Sequence, residues 1–328
     1  MLGYIIRRAL FSLVTIFLVS ILSFAIIQLP PGDYVDSYIA QLQASGTPVS
    51  TSEAENLRQR YGLDEPFVVQ YGLWMGQVLR GNLGTSMQWQ RPVREVIGDR
   101  LALTMVVSVA ALVFTWMIAL PIGIFSAVRQ YSIADYIATT IGFMGLAVPN
   151  FLFALVVMYI GWSVFGLNVG GLFSAEYELQ GWSFGKFLNL LSHLPVPAIV
   201  LGTAATAQGI RVLRNNLLDE LRKPYVVTAR AKGLSETRLI LKYPVRVALN
   251  PLASTIGYML PFIVSGSVIV SIVLSLPTVG PVLLTSLQSQ DMFLAGAIVL
   301  LLGVMTIIGT FLSDMLLLLI DPRIRMED

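Results

Sequence analysis

The stretch Tyr225-Val226-Val227-Thr228-Ala229-Arg230-Ala231-Lys232-Gly233-Leu234-Ser235-Glu236 carries the most chemical information in this chain. Pro224, just ahead of it, has the φ of a first helical turn and lacks only an N–H that such a turn leaves unbonded. Tyr225–Lys232 are compatible with a helix. Gly233 can end that helix as a left-handed C′ residue without a Cβ clash. Ser235 suits the N-cap of a second helix, Glu236–Ala248, with the Glu236 charge in the favourable first turn. The expected shape is helix, glycine bend, helix, kept slim by Ala229 and Ala231. Such a knuckle can enter a groove on a partner, where basic side chains at its edges pair with acidic groups. Composition leaves a second reading equally open, in which the basic loop simply faces anionic lipid.

Bond-breaking chemistry has little to work with elsewhere. The chain has no cysteine and a single histidine, His193, so thiolate nucleophiles, zinc–thiolate sites and histidine clusters are excluded together. His193 stands just before Pro195 and Pro197 and reads as a loop or membrane-entry residue. No Gly-x-x-x-x-Gly-Lys-Ser/Thr phosphate cradle is present, since Gly185-Lys186 is followed by Phe187. No His-Glu-x-x-His helix occurs. The chain is not expected to be an enzyme or to bind a cofactor or metal.

The elements that position the knuckle are membrane spans. Hydrophobic residues make up 55% of the 328 and charged ones 12%, about half the charge of a soluble domain. A net charge of +2 gives no reason to expect nucleic acid. A bilayer core of roughly 30 Å needs about 20 mostly apolar residues in a helix. Five stretches qualify: Ala9–Leu29, Leu101–Val128, Ile137–Phe165, Leu252–Leu276 and Leu294–Ile320. Leu194–Val212 is a weaker sixth, opened by prolines and filled with Gly202-Thr203-Ala204-Ala205-Thr206-Ala207, small residues that suit a helix packed against other helices.

The positive-inside rule decides for six spans with both termini cytoplasmic. Arg7, Arg8, Arg129, Arg323 and Arg325 then lie inside, together with the basic loop that carries Arg211, Arg214, Arg222, Lys223, Arg230, Lys232, Arg238, Lys242 and Arg246. The first span is too long for a signal peptide, and Gln28-Leu29-Pro30-Pro31 offers no small-residue cleavage site, so a retained helix is expected. Residues 1–100 read as that helix plus an external cap with a short helix near Glu55–Tyr61. Residues 101–328 read as a core of five spans with a cytoplasmic loop at about 213–250. Asp314 is the exceptional charge within the spans and reads as an interfacial carboxylate paired with a basic neighbour. An ion-driven carrier would place carboxylates near the midplane, so the driving force should come from elsewhere.

The knuckle resembles the conserved cytoplasmic motif of binding-protein-dependent ABC importer permeases, in the form used by the dipeptide/oligopeptide family: Tyr-Val-x-Thr-Ala-Arg-Ala-Lys-Gly-Leu-Ser. The resemblance covers essentially the whole chain. It takes in Tyr61-Gly62-Leu63-Asp64-Glu65-Pro66, Gly81-Asn82-Leu83-Gly84-Thr85-Ser86, Arg91-Pro92-Val93, Thr104, Pro149-Asn150-Phe151, Asn250-Pro251 and Asp321-Pro322-Arg323.

The resemblance implies an all-α membrane protein with the type I importer permease fold, in the bacterial cytoplasmic (inner) membrane. Tyr225, Thr228, Ala229, Arg230, Ala231, Lys232, Gly233, Leu234 and Ser235 would form the coupling helix that seats in a cytoplasmic ATPase subunit. The implied partners are a second permease, two ATPases that hold the ATP and Mg, and an external solute-binding protein. The implied cargo is peptides, with oligosaccharides the alternative. Two departures stand out. Val227-Thr228-Ala229 replaces the general Glu-Ala-Ala opening. Ser271 and Pro277-Thr278-Val279-Gly280 replace a glutamate and a Pro-Gly-x-Gly motif after the fifth span, which leaves substrate identity open.

Overall fold

A computed structural model describes residues 2–28, 35–36, 39, 55–56, 58–59, 62, 64–252 and 268–320. These are helical apart from turns and a lone antiparallel bridge between Thr85 and Pro92. In chain order the helices are α1 (Leu2–Gln28), α2 (Phe67–Leu79), α3 (Val93–Val128), α4 (Ile133–Ala147), α5 (Asn150–Phe165), α6 (Phe184–His193) and α7 (Pro195–Leu221). There follow α8 (Pro224–Ala231), α9 (Glu236–Lys242), α10 (Pro244–Ala248), α11 (Val279–Gln288) and α12 (Met292–Ile320). A four-residue helical turn also spans Ala175–Glu178.

Among the described residues four helices are long and apolar enough to cross a membrane: α1, α3, α7 and α12. The expected span Ile137–Phe165 is not one straight helix. It forms α4 and α5, bent by 102°. The break is Val148-Pro149, where both residues are extended (ψ 121° and 136°), because a proline's Cδ pushes the residue before it out of the α region. Counted as one crossing, the pair raises the number to five. Most of the expected span Leu252–Leu276 and the ending Asp321–Arg325 lie outside the described residues, whereas residues 55–56 and 58–59 of the expected cap helix Glu55–Tyr61 are described and helical.

The helices are apolar on the outside. On α1, Leu10, Leu13, Val14, Phe17 and Leu22 point outward, while Ser20 and Ser23 are buried. Ser20 shares a 2.8 Å hydrogen bond with the Tyr71 hydroxyl, and Ser23 donates back to the Val19 carbonyl at 2.6 Å. Lipid accepts exposed leucine freely, whereas hydroxyls need partners. α7 is the converse case. Over its apolar window it is 61% buried, against 17% for α1, and Gly202, Ala205, Thr206 and Ala207 lie inside, as their small size predicts. A Cβ at Gly202 would stand 2.7 Å from the Phe114 ring and 3.1 Å from the Ala111 carbonyl, so only glycine permits this approach to α3.

The chain divides into two compact units. One joins Leu2–Thr104 to Thr278–Ile307. Its core packs Phe24 and Trp74 on Leu300, and Val93 and Ile97 on Val279, Leu294 and Ile298. Gly303 lets α12 close on Val19, whose Cγ1 would be 2.6 Å from an added Cβ. Thr104 accepts the Val279 amide at 3.0 Å, which satisfies a donor at the start of α11.

Asp291, immediately before α12, is fully buried. Its carboxylate accepts the Ser86 hydroxyl at 2.5 Å and the amides of Gln88 (3.0 Å) and Leu294 (3.1 Å). It thus fastens the turn that carries Gly84-Thr85-Ser86 to the helix start. Burial pushes this carboxyl above its ordinary 3.8, against the downward pull of Ser86 and the surrounding amides. A carboxyl with a raised native pKa binds its proton more tightly folded than unfolded. Its charged form therefore weakens the fold as pH rises from 3.8 through the native value, and the penalty is lifted below. Asp291→Asn should flatten that part of the stability–pH profile of the detergent-solubilised protein. An unchanged profile would contradict the raised value.

Candidate functional site

The second unit, Met105–Pro277 with Ile308–Asp328, holds the sequence-predicted site. α8 begins at Pro224, and its Val226 turns inward with no exposure. Val226 joins Leu239 and Ile240 of α9, Val245 and Ala248 of α10, and Leu213 and Leu217 of α7 in one apolar cluster. The knuckle is therefore seated on the end of the most enclosed span.

The bend after α8 forms as expected. Gly233 has φ +78°. Its amide donates to the Arg230 carbonyl at 3.0 Å, and the Leu234 amide donates to Ala229 at 3.4 Å, the two bonds of a Schellman ending. Two features differ from expectation. Ser235 occupies the N-cap position without a side-chain capping bond, and its carbonyl instead accepts the Leu239 amide at 2.9 Å. The expected helix Glu236–Ala248 is broken into α9 and α10 at Tyr243 (φ −116°, ψ −77°). Pro244 is the cause, since it has no N–H to continue the ladder and its ring collides with the carbonyl four residues back.

An ion pair that sequence reading missed closes the bend. The Arg230 guanidinium grips both Glu236 oxygens, Nε on Oε1 and Nη2 on Oε2 at 3.1 Å. Hydrogen bonding to each other raises the Arg230 pKa and lowers that of Glu236. The sequence signal was a pair of opposite charges six residues apart across a predicted glycine reversal.

The nine expected residues separate by face. Tyr225, Thr228, Arg230, Ala231, Lys232, Gly233 and Ser235 are exposed, whereas Ala229 and Leu234 are half-buried against the apolar cluster. The outward surface also presents Val227, 59% exposed, beside Tyr225, whose hydroxyl donates to Glu220 at 2.6 Å. Thr228, which departs from the Glu-Ala-Ala pattern, turns its hydroxyl back to the Pro224 carbonyl at 3.0 Å. Arg222, Lys223, Arg238, Lys242 and Arg246 surround this surface, all exposed. The outward face thus combines apolar and hydroxyl groups with exposed cations.

Other residues singled out from the sequence have local roles. Lys186 is buried, its ammonium donating to the Gln180 carbonyl at 2.5 Å and lying over the Phe173 and Trp182 rings. His193 Nδ1 lies 2.8 Å from the Asn189 carbonyl at the end of α6. Ser271 is fully buried, and Asp314 lies half-buried on α12. Among the described residues no acidic or histidine cluster could hold a metal. Asp135 and Arg214, not singled out as a pair, form a buried ion pair beside a groove of about 190 Å³ that Thr139, Ala207, Arg211 and Asn215 help to line.

Several long apolar helices, and a small-residue span with the knuckle seated at its end, define a polytopic membrane protein. The chain belongs to the binding-protein-dependent transport system inner membrane component family, which matches residues 119–326. The N-terminal component of the same transport systems matches residues 1–110. It is 35% identical to the oligopeptide transport system permease protein AppB of Bacillus subtilis, over 99% of both chains. It is 29% identical to the dipeptide transport system permease protein DppB of Escherichia coli, again over 99% of both. A di/tripeptide transport system permease protein of Pseudomonas aeruginosa is 31% identical over the same shares.

Gly233→Ala puts a Cβ at a left-handed φ, which costs about 1–2 kcal/mol. Amide exchange over residues 229–235 should quicken while that of α7 stays unchanged. Equal rates would mean that the bend does not depend on glycine.

Proposed function

We propose that this chain is a transmembrane permease subunit of an ABC importer that carries di- and oligopeptides across the bacterial cytoplasmic membrane. The observation that carries the reading is the knuckle: a slim, cation-ringed surface seated on α7, in a chain related along its whole length to peptide permeases. In this reading the chain crosses the membrane six times with both termini in the cytoplasm. The α4–α5 pair makes one crossing, and Leu252–Leu276 supplies the fifth. The basic loop on the cytoplasmic side agrees with the positive-inside rule.

Tyr225, Thr228, Arg230, Ala231, Lys232, Gly233 and Ser235 then face a groove on an ATPase subunit, and Ala229 and Leu234 hold the knuckle to its base. ATP and Mg belong to two such ATPases; this chain binds neither. A second, homologous permease lines the other side of the pathway, and an external solute-binding protein delivers the peptide. Closure of the ATPases around ATP pushes on the knuckle and rocks the spans between inward- and outward-facing states.

Tagging the chain and isolating it in mild detergent should recover an ATPase and a second permease in stoichiometric amount. Gly233→Pro removes the left-handed bend, and Ala231→Trp fills the slim docking face. Each should abolish ATP-dependent peptide uptake while membrane insertion stays normal. Wild-type uptake in either variant would sink the coupling assignment, and uptake by the isolated chain without ATP would sink the importer reading itself.

A further inference from the structure

One charged cluster joins the end of α3, the turn after it, the start of α4 and the middle of α7. Asp135 is 2% exposed. Arg214 reaches it with both arms, Nε to Oδ1 and Nη2 to Oδ2, each at 2.9 Å. The Ser126 hydroxyl donates to Oδ1 and accepts a bond of 3.1 Å from Arg214 Nε. The Tyr131 amide donates to Oδ2 at 2.9 Å. Both carboxylate oxygens are thus satisfied by fixed donors from two other helices and a turn.

Arg214 also lies one residue from Leu213 and three from Leu217, the two α7 side chains buried beneath the knuckle. A single stretch of an unbroken helix, Pro195–Leu221, therefore touches Val226 and Leu239 on one face and Asp135 on the other. Towards the membrane interior the α4–α7 seam is smooth. A Cβ at Gly142 would be 4.0 Å from the Ala207 Cβ, and one at Gly145 would be 3.1 Å from Thr203 Cγ2. Small residues interlock weakly and resist sliding poorly. A bidentate fork does not slide, because a shift of about 1 Å breaks both of its bonds. A buried pair adds little net stability over apolar packing, so its value here lies in register.

We infer that the Asp135–Arg214 pair is the tie that passes displacement of the knuckle from α7 to α4, so that the two helices travel as one body. Both are positioning residues, neither being a solute contact. This rests on the permease reading above.

The test uses the assembled transporter, with its ATPases and binding protein, in proteoliposomes, and reads labelled tripeptide taken up per ATP hydrolysed. The unsubstituted complex must couple the two; if it does not, the permease reading fails and the tie falls with it. In the Asp135→Asn/Arg214→Gln double variant, amides keep the packing but remove the charged fork. Uptake per ATP should fall roughly tenfold, with complex yield and ATP hydrolysis retained. Arg214→Lys, which keeps the charge on a single point donor, should give an intermediate ratio and serves if the double variant does not assemble.

The absence of cysteine allows a decisive rescue. The 4.0 Å Cβ separation between positions 142 and 207 lies within the range of a disulfide. Adding Gly142→Cys/Ala207→Cys to the weakened variant and oxidising after assembly should restore the ratio, and reduction should abolish it again. A purely folding role could not be repaired by a bond formed after assembly. Two results would overturn the inference. One is an unchanged ratio without the fork. The other is a block of uptake when the same cross-link is formed with Asp135 and Arg214 intact, since α4 and α7 would then have to slide.

Discussion

A bilayer interior supplies no hydrogen bonds, and the other features of this chain follow from that constraint. Backbone groups are satisfied within helices, side-chain hydroxyls turn inward to carbonyls or to one another, and leucine and phenylalanine face out. Exposure of large apolar residues is tolerated here, so small and polar residues share the interior with apolar clusters. α7 is the clearest instance, with Gly202, Ala205, Thr206 and Ala207 all buried. Among the described residues, the buried carboxylates Asp135 and Asp291 sit in closed sets, the first with Arg214 and the second with hydroxyl and amide donors.

Much of the architecture was legible for the same reason. The apolar runs marked where α1, α3 and α12 lie, although α1 and α3 begin seven and eight residues before the expected Ala9 and Leu101, and the small-residue stretch announced the packing of α7. Gly233 and Pro224 marked the ends of α8 because each allows few alternatives at its position. What escaped the sequence was chiefly what proline does inside a long apolar run. Hydropathy averages over Val148-Pro149 and sees one span, whereas the backbone turns there by 102°. Pro244 divides the second helix of the knuckle by the same local sterics.

The ion pairs were legible only as residue types. Asp135 and Arg214 are 79 residues apart, and nothing in either local sequence says that they meet. Arg230 and Glu236 were both assigned sensible local roles, a docking cation and a first-turn anion, yet they spend those charges on each other. Lys232 and the flanking Arg222, Lys223, Arg238, Lys242 and Arg246 are the other exposed cations of the knuckle. The nine residues of the sequence-based list all lie on the knuckle; their division into outward and inward residues needed Val226, Leu239 and the underlying end of α7.

The composition of the first unit bears on how the protein is made. Ser86 and Asp291, which share a hydrogen bond, are 205 residues apart in the chain, and Val93 and Ile97 complete their core with Val279 and Leu294. At about 5–20 residues per second, the ribosome delivers the second half of that core tens of seconds after the first. In that interval α1, α2 and the first turns of α3 must wait with the Ser86 hydroxyl and the Gln88 amide lacking their native partner, Asp291. Biogenesis of this unit therefore depends on whatever shelters early helices during synthesis. A nascent chain arrested before α12 would present an incomplete fold, recognisable to quality control even though most of its spans were already inserted.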